Sequence, residues 1–215
     1  MNKLFIIACS HGMGCEIEGP GIGHFTKTNL ENCYGSIVAS KLNLEPINFS
    51  WPGGSNDRIH RVIHNLLNDG FEFFENTYKA EPEDKFLIQW TGPDRIELKT
   101  KDGYQNFSVG MGYEGVNPDG TRWCISKDNK KFYEHYINYI ADPEYTNILK
   151  LKNILSAKYM LDKSGHTYWM TESDRSVYNE GFIIKTPYWE YLSKKGFKRT
   201  PAEHFGADAH EEWAK

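Results

Sequence analysis

Leu4-Phe5-Ile6-Ile7-Ala8-Cys9 is a run of six apolar residues that leads into the small polar turn Ser10-His11-Gly12. An unbroken apolar run closed by a turn signal predicts a buried strand. Cys33 to Leu42 then reads as a helix, Glu45-Pro46-Ile47-Asn48-Phe49 as a second strand, and Trp51-Pro52-Gly53-Gly54-Ser55 as a turn. Ser55 or Asn56 caps the following helix, whose apolar residues Ile59, Val62, Ile63, Leu66 and Leu67 recur at helical spacing. Phe86-Leu87-Ile88-Gln89-Trp90 is a third buried strand, ending at Thr91-Gly92-Pro93-Asp94. An excursion from about Glu97 to Lys131, rich in Gly, Asp and aromatics, is expected to form a hairpin or cap outside the main sheet. Helices follow around Phe132–Ile140 and Tyr145–Leu161, separated by Asp142-Pro143. The spacing of Ile148, Leu151 and Leu155 predicts that the second packs on the sheet. His166-Thr167-Tyr168-Trp169-Met170 reads as the fourth core strand. The tail from Thr200 holds His204 in a turn and then a short helix to Trp213.

Strands alternating with helices in this rhythm predict an α/β fold: a three-layer α/β/α sandwich with a mostly parallel sheet of about five strands, flavodoxin-like in style. At 215 residues the chain is expected to be one domain, 1–215. The Gly-rich stretch from Gly12 to Asn32 is a long connection, and such connections are often functional. Gly12-Met13-Gly14 lacks the third glycine of a dinucleotide fingerprint, because Ile17 stands there, and no GxxxxGK[ST] pattern occurs. Both routes to nucleotide binding are set aside.

Charge and cysteine usage narrow the partners. A formal charge of −4 offers no overall attraction to nucleic acid or an anionic membrane. No apolar run has the length of a membrane span, and Leu4 to Cys9 is too short for a signal-peptide core. Cys9, Cys15, Cys33 and Cys124 form no CxxC pair, which suits a reduced cytoplasmic protein better than a disulfide or zinc framework.

In open α/β sheets, ligands bind beyond the carboxyl ends of the strands. Those ends present Ser10, Gly53-Gly54-Ser55-Asn56, Thr91-Gly92 and, from the tail, His204. Serine hydrolysis needs a nucleophile, a base and donors aimed at the developing oxyanion. Ser10 is either that nucleophile or a turn serine, and His204 either the base or a structural partner of a backbone carbonyl. His11, His204, Asp208 and His210 are residue types that suit zinc or manganese, but the serine reading is preferred, with no metal and no cofactor. Arg58 and Arg95 either hold a substrate carboxylate or phosphate, or pair with Asp57 and Asp94.

Taken together, the segments resemble the SGNH (GDSL-like) hydrolase superfamily, and most closely the SGNH-like proteins of tailed bacteriophages. Cys9-Ser10-His11 after the first strand is similar to the nucleophile segment. Asn48-Phe49 through Pro52-Gly53-Gly54-Ser55-Asn56-Asp57-Arg58-Ile59 resembles the glycine-bearing second segment and is the most specific match. Trp90-Thr91-Gly92-Pro93-Asp94-Arg95 resembles the third, and His204-Phe205-Gly206-Ala207-Asp208-Ala209-His210 with Trp213-Ala214 the last. The resemblance implies a serine esterase with Ser10 as nucleophile, His204 as base and the amides of Ser10 and Gly53 as oxyanion donors. It implies a small acylated substrate, such as an O-acylated carbohydrate, and a location in the host cytoplasm or the virion. It says nothing of oligomeric state. Two positions depart from the family pattern. Pro93 falls where the family has its oxyanion asparagine, leaving Thr91 or Asn56 as substitutes. Pro201 falls where the family has its aspartate, leaving Glu203 or Asp208 as the acid and His210 as a fallback base. These departures also admit the alternative of a catalytically inactive binding or virion-associated module.

Overall fold

The computed structural model describes residues 1–18, 25–100, 103–108, 114–116, 122–124, 127–140, 142–173, 182–184, 186–200 and 204–215. Ten strands are named in chain order: β1 (Lys3–Ile7), β2 (Glu45–Asn48), β3 (Phe71–Phe73), β4 (Asn76–Tyr78), β5 (Lys85–Trp90), β6 (Arg95–Thr100), β7 (Gly103–Ser108), β8 (Glu114–Val116), β9 (Arg122–Cys124) and β10 (Thr167–Glu172). The helices are α1 (Ser10–Met13), α2 (Lys27–Asn32), α3 (Tyr34–Lys41), α4 (Asn56–Leu67), α5 (Lys127–His135), α6 (Pro143–Ser164), α7 (Tyr188–Lys194) and α8 (Ala207–Trp213). Among the described residues the central sheet has four strands, fewer than the five expected, in the order β10-β5-β1-β2, and every pairing is parallel.

The apolar run of β1 is continuous because both its faces are covered. Phe5 and Ile7 enter one core with α4 and α6, while Leu4 and Ile6 enter the other with α3, α7 and α8. Strand β5 divides the same way, with Phe86, Ile88 and Trp90 on the first face and Leu87 on the second. The result is the expected three-layer α/β sandwich. Among the described residues of the excursion, β6 pairs antiparallel with β7 and β8 with β9, each pair its own small sheet. A further hairpin, β3–β4, between α4 and β5 was not legible in the pattern.

Helix α6 begins where Asp142 caps it, with its carboxylate accepting from the Tyr145 amide and Pro143 in the first turn. Its buried face differs from the one predicted. Ile148 and Leu155 are 56% and 45% exposed, while Thr146, Lys150, Asn153, Ile154, Ala157 and Leu161 face inward. Polar partners within the protein set that rotation. Lys150 Nζ lies 2.6 Å from Glu172 at the end of β10, close in distance but not aligned as a hydrogen bond. Asn153 Nδ2 donates to Asp57 Oδ1 at 2.9 Å. No helix among the described residues is long and apolar enough to cross a membrane.

Candidate active site

Beyond β1 the chain passes through Ala8 and Cys9 into α1, a single helical turn that half-buried Ser10 opens. The turn seats against the strand end only because residue 12 is glycine. A Cβ there would lie 2.3 Å from Ala8 Cβ and 2.8 Å from Ser50 Oγ. Gly14 closes the turn at φ +78°, and a side chain there would also meet the Asn29 carbonyl at 2.6 Å. Gly12 and Gly14 therefore answer to close packing and a left-handed backbone.

His204 lies against that turn, tied down through Arg199, Thr200 and Phe205. Arg199 and Phe205 form an antiparallel bridge, the Thr200 amide donates to the His204 carbonyl at 2.7 Å, and the His204 amide donates to Thr200 Oγ1 at 3.1 Å. Thr200 Oγ1 in turn donates to Glu16 Oε2, and the same carboxylate oxygen lies 3.1 Å from His204 Nδ1. An ionised carboxylate only accepts, so the ring nitrogen that faces Glu16, Nδ1, is the one that carries a proton. Both partners are sheltered, with side chains 14% and 6% exposed. Glu16 adopts φ +66°, a left-handed backbone uncommon for a non-glycine residue. The His204 ring centroid is 5.0 Å from that of His11, the residue after Ser10.

The neighbours of Ser10 are poor competitors for its chemistry. Trp189 Nε1 donates to His11 Nε2 at 2.8 Å, so the lone pair of that ring is occupied. Burial, then the nearby His204, Arg95, His210 and Arg199, push the His11 pKa well below its ordinary value. Burial likewise raises the Cys15 thiol to about 12, so it stays protonated at neutral pH.

The glycine-bearing loop is tied to the same edge. Phe49 N donates to Ile6 O and Trp51 N to Ala8 O, at 2.8 and 3.1 Å, extending the β1–β2 ladder past the strand ends. Gly53 sits at φ +67°, and a Cβ there would meet nothing within 4 Å, so its backbone borders open space. Ser55 caps α4 by accepting from Arg58 N. Asn56 is buried and its amide is fully engaged: Nδ2 donates to Thr91 O and Gly92 O at 3.2 and 3.1 Å, while Oδ1 accepts from Thr91 N at 2.9 Å. Asn56 thus braces the loop after β5 and has no amide hydrogen left for an oxyanion. The Thr91 hydroxyl is buried and has no hydrogen-bond partner among the described residues. Asn56→Ala is expected to cost about 2 kcal/mol, read as a lower urea midpoint, because two carbonyls and one amide lose their partners.

No protein-family model and no curated protein sequence matches this chain. Solved structures do resemble it. An acetyl xylan esterase from the rumen bacterium Butyrivibrio proteoclasticus superposes with a TM-score of 0.51 at 12% identity, over 99% of this chain and 61% of that one. A carbohydrate esterase family 2 enzyme with a carbohydrate-binding domain, from Corynascus thermopiles (Myceliophthora fergusii), gives 0.46 at 12% identity, over 99% and 63%. The likeness is one of fold. The chain spans less than two thirds of either protein's length.

Within that fold, several residues singled out in the sequence stand elsewhere than expected. His210 lies in the second core, where Nδ1 accepts from Tyr34 N at 3.1 Å and Nε2 meets Tyr188 Oη at 3.3 Å. Burial, with the nearby His204, lowers its pKa to about 3. Asp208 is exposed on α8, its Oδ1 accepting from Ala209 N. Glu203 and Pro201 fall outside the described residues. Arg58 does not pair with Asp57: it is buried, its Nη1 donates to Phe49 O at 2.8 Å, and Asp57 instead accepts from Glu97 N and Asn153 Nδ2. Burial lowers the Arg58 pKa to about 10. Arg95 opens β6 with a buried Nη1 that has no hydrogen-bond partner among the described residues. No three metal-binding side chains converge among the described residues. The residue the sequence did not point to is Glu16. Only its position in the Gly-rich stretch after Ser10, a long connection of the kind that often carries function, hinted at a role.

Proposed function

We propose that the chain is a serine esterase of SGNH type that removes an O-acyl group from a carbohydrate, with Ser10 as nucleophile, His204 as base and Glu16 orienting His204. One observation carries this reading: the Glu16–His204 contact fixes the imidazole with Nδ1 protonated beside the turn that bears Ser10. Glu16 thus fills the role that the family resemblance assigns to an acid just before the histidine. The fold shared with an acetyl xylan esterase supports an acyl-carbohydrate substrate.

In the first half-reaction Ser10 Oγ attacks the carbonyl carbon and its proton passes to His204 Nε2. The carbonyl oxygen becomes an oxyanion held by the amides of Ser10 and Gly53, the second of which borders open space. The tetrahedral intermediate collapses, the bond to the sugar oxygen breaks, and that oxygen takes the proton from His204. Water then gives a proton to Nε2 and attacks the acyl-enzyme. Collapse returns the proton to Ser10 and releases the carboxylic acid. Glu16 stays ionised throughout and stabilises the imidazolium. The chain's own groups account for every proton, so these steps call on no cofactor.

Intact-mass labelling with a fluorophosphonate tests the proposal without a known substrate, because such probes report serines activated by a base. One adduct on Ser10, lost in both Ser10→Ala and His204→Ala, is the expected result. A folded wild-type protein that takes no adduct would overturn the reading and favour an inactive binding module.

A further inference from the structure

The hairpin between β3 and β4 closes at the Phe73–Asn76 pair, so its loop is only Phe74 and Glu75. Two-residue hairpin loops need a left-handed backbone and are normally built from Asn, Asp or Gly. Here Phe74 takes that position, at φ +52°, with its side chain 69% exposed. A bulky residue in this conformation is strained, and burial does not repay it. What the placement achieves is a row of rings. Phe74 lies 4.5 Å from Phe73 and 5.3 Å edge-on to Phe25, and Phe25 lies 5.1 Å from Trp51. Trp51 and Phe25, each 37% exposed, present apolar surface to solvent as well.

Against this row lies a depression of 340 Å³ that Trp51, Phe74, Arg61, Glu97, Tyr104 and Asn106 help to line. Arg58 and Glu72 also border it, and within its lining a planar ion pair is fixed in place. Arg61 Nε and Nη2 donate to the two carboxylate oxygens of Glu97 at 2.6 and 2.8 Å, and the guanidinium lies over Tyr104 at 3.8 Å. Asn106 Oδ1 accepts from Ser55 N at 3.1 Å, which leaves its Nδ2 donors for another partner. The depression adjoins the glycine loop, since Trp51 N is bonded to Ala8 O, two residues before Ser10.

We propose that this depression is the sugar subsite, taking a neutral pyranose ring whose C–H face packs on Trp51 and Phe74 and whose hydroxyls meet Asn106 and the Arg61–Glu97 pair. A pyranose fits both halves of the lining: its ring face is apolar, and its adjacent hydroxyls match planar, in-line donors and acceptors. A purely apolar partner would leave the Arg61–Glu97 pair desolvated without compensation. The proposal rests on the esterase reading only for the direction in which the acyl group points.

The test is read by binding to the intact chain carrying Ser10→Ala, so it stands apart from the labelling experiment. Cellotetraose, xylotetraose and N,N′-diacetylchitobiose serve as probes, and the Trp51 indole N–H resonance, assigned with Trp51→Phe, reports occupancy. At least one probe is expected to shift that resonance in a saturable way. Phe74→Asn and Phe74→Gly, both suited to the left-handed backbone, are expected to weaken the binding at least fivefold with no fall in melting temperature. No shift with any of the three probes would overturn the subsite, as would binding that Phe74→Asn leaves unchanged. Ser10 labelling in wild type together with either outcome would leave the esterase standing and remove only the subsite.

Discussion

Glu16→Ala is expected to lower kcat/KM for 4-nitrophenyl acetate by about 10³-fold, while Glu16→Gln lowers it only about 10- to 100-fold. The ordering follows from which oxygen is used. Thr200 Oγ1 and His204 Nδ1 both converge on Glu16 Oε2. A glutamine can place its amide oxygen at that point, keep both contacts and hold the imidazole with Nδ1 protonated. What it loses is the negative charge that stabilises the imidazolium. Alanine removes the acceptor altogether, so neither the tautomer nor the ring orientation is fixed. The rate of Ser10 fluorophosphonylation is expected to fall in the same order, with melting temperatures showing that both variants are folded. Partial rescue by glutamine separates a positioning role from a structural one, which would follow melting temperature instead. An alanine variant that labels at the parent rate would remove Glu16 from the mechanism.

Acidification from pH 7 to pH 4.5 is expected to destabilise the fold by about 2.5 kcal/mol through His210, with buried His11 acting in the same direction. His210 has a folded pKa of about 3 against an ordinary 6.5, and burial also holds His11 well below that value. These shifts are downward, so the neutral form is the one the fold accommodates. Below pH 6.5 the unfolded chain takes up protons that the folded chain refuses, and stability falls with pH. The slope for one such group is about 1.4 kcal/mol per pH unit, continuing toward pH 3 for His210. Above pH 6.5 the slope fades, and by about pH 8 neither group contributes one. Urea midpoints at the two pH values measure the effect. His210→Gln offers an acceptor to Tyr34 N and a donor to Tyr188 but does not titrate. It is expected to lower stability at pH 7 and to flatten the slope by the share of one group. An unchanged slope would show that His210 accepts a proton in the folded state.

The apolar runs of β1 and β5 made the parallel sheet legible because strands covered on both faces have no polar side to interrupt the pattern. The cap at Ser55 and the Asp142-Pro143 start of α6 were legible for an equally local reason: capping uses residues within one turn. The inward face of α6 was not. Its apolar spacing pointed to Ile148 and Leu155, but Lys150 and Asn153 are drawn in by Glu172 and Asp57 from distant elements. Asn56 shows the same limit. Its amide type suits an oxyanion donor, and only contact with the loop after β5 commits it elsewhere.

By itself the sequence determined the α/β class, the strands whose carboxyl ends carry Ser10 and Gly53, and the segments in which those residues lie, because each depends on local pattern. Tertiary structure alone decided the partner of His204. An acid adjacent in sequence was expected, but the fold closes a separation of 188 positions between Glu16 and His204. A hydrogen bond of that kind leaves no periodicity along the chain. The same holds for His210, whose burial between Tyr34 and Tyr188 turns an apparent base into a neutral core residue. Side-chain chemistry is written in the sequence, but burial and pairing, which set what that chemistry does, depend on contacts between elements far apart in it.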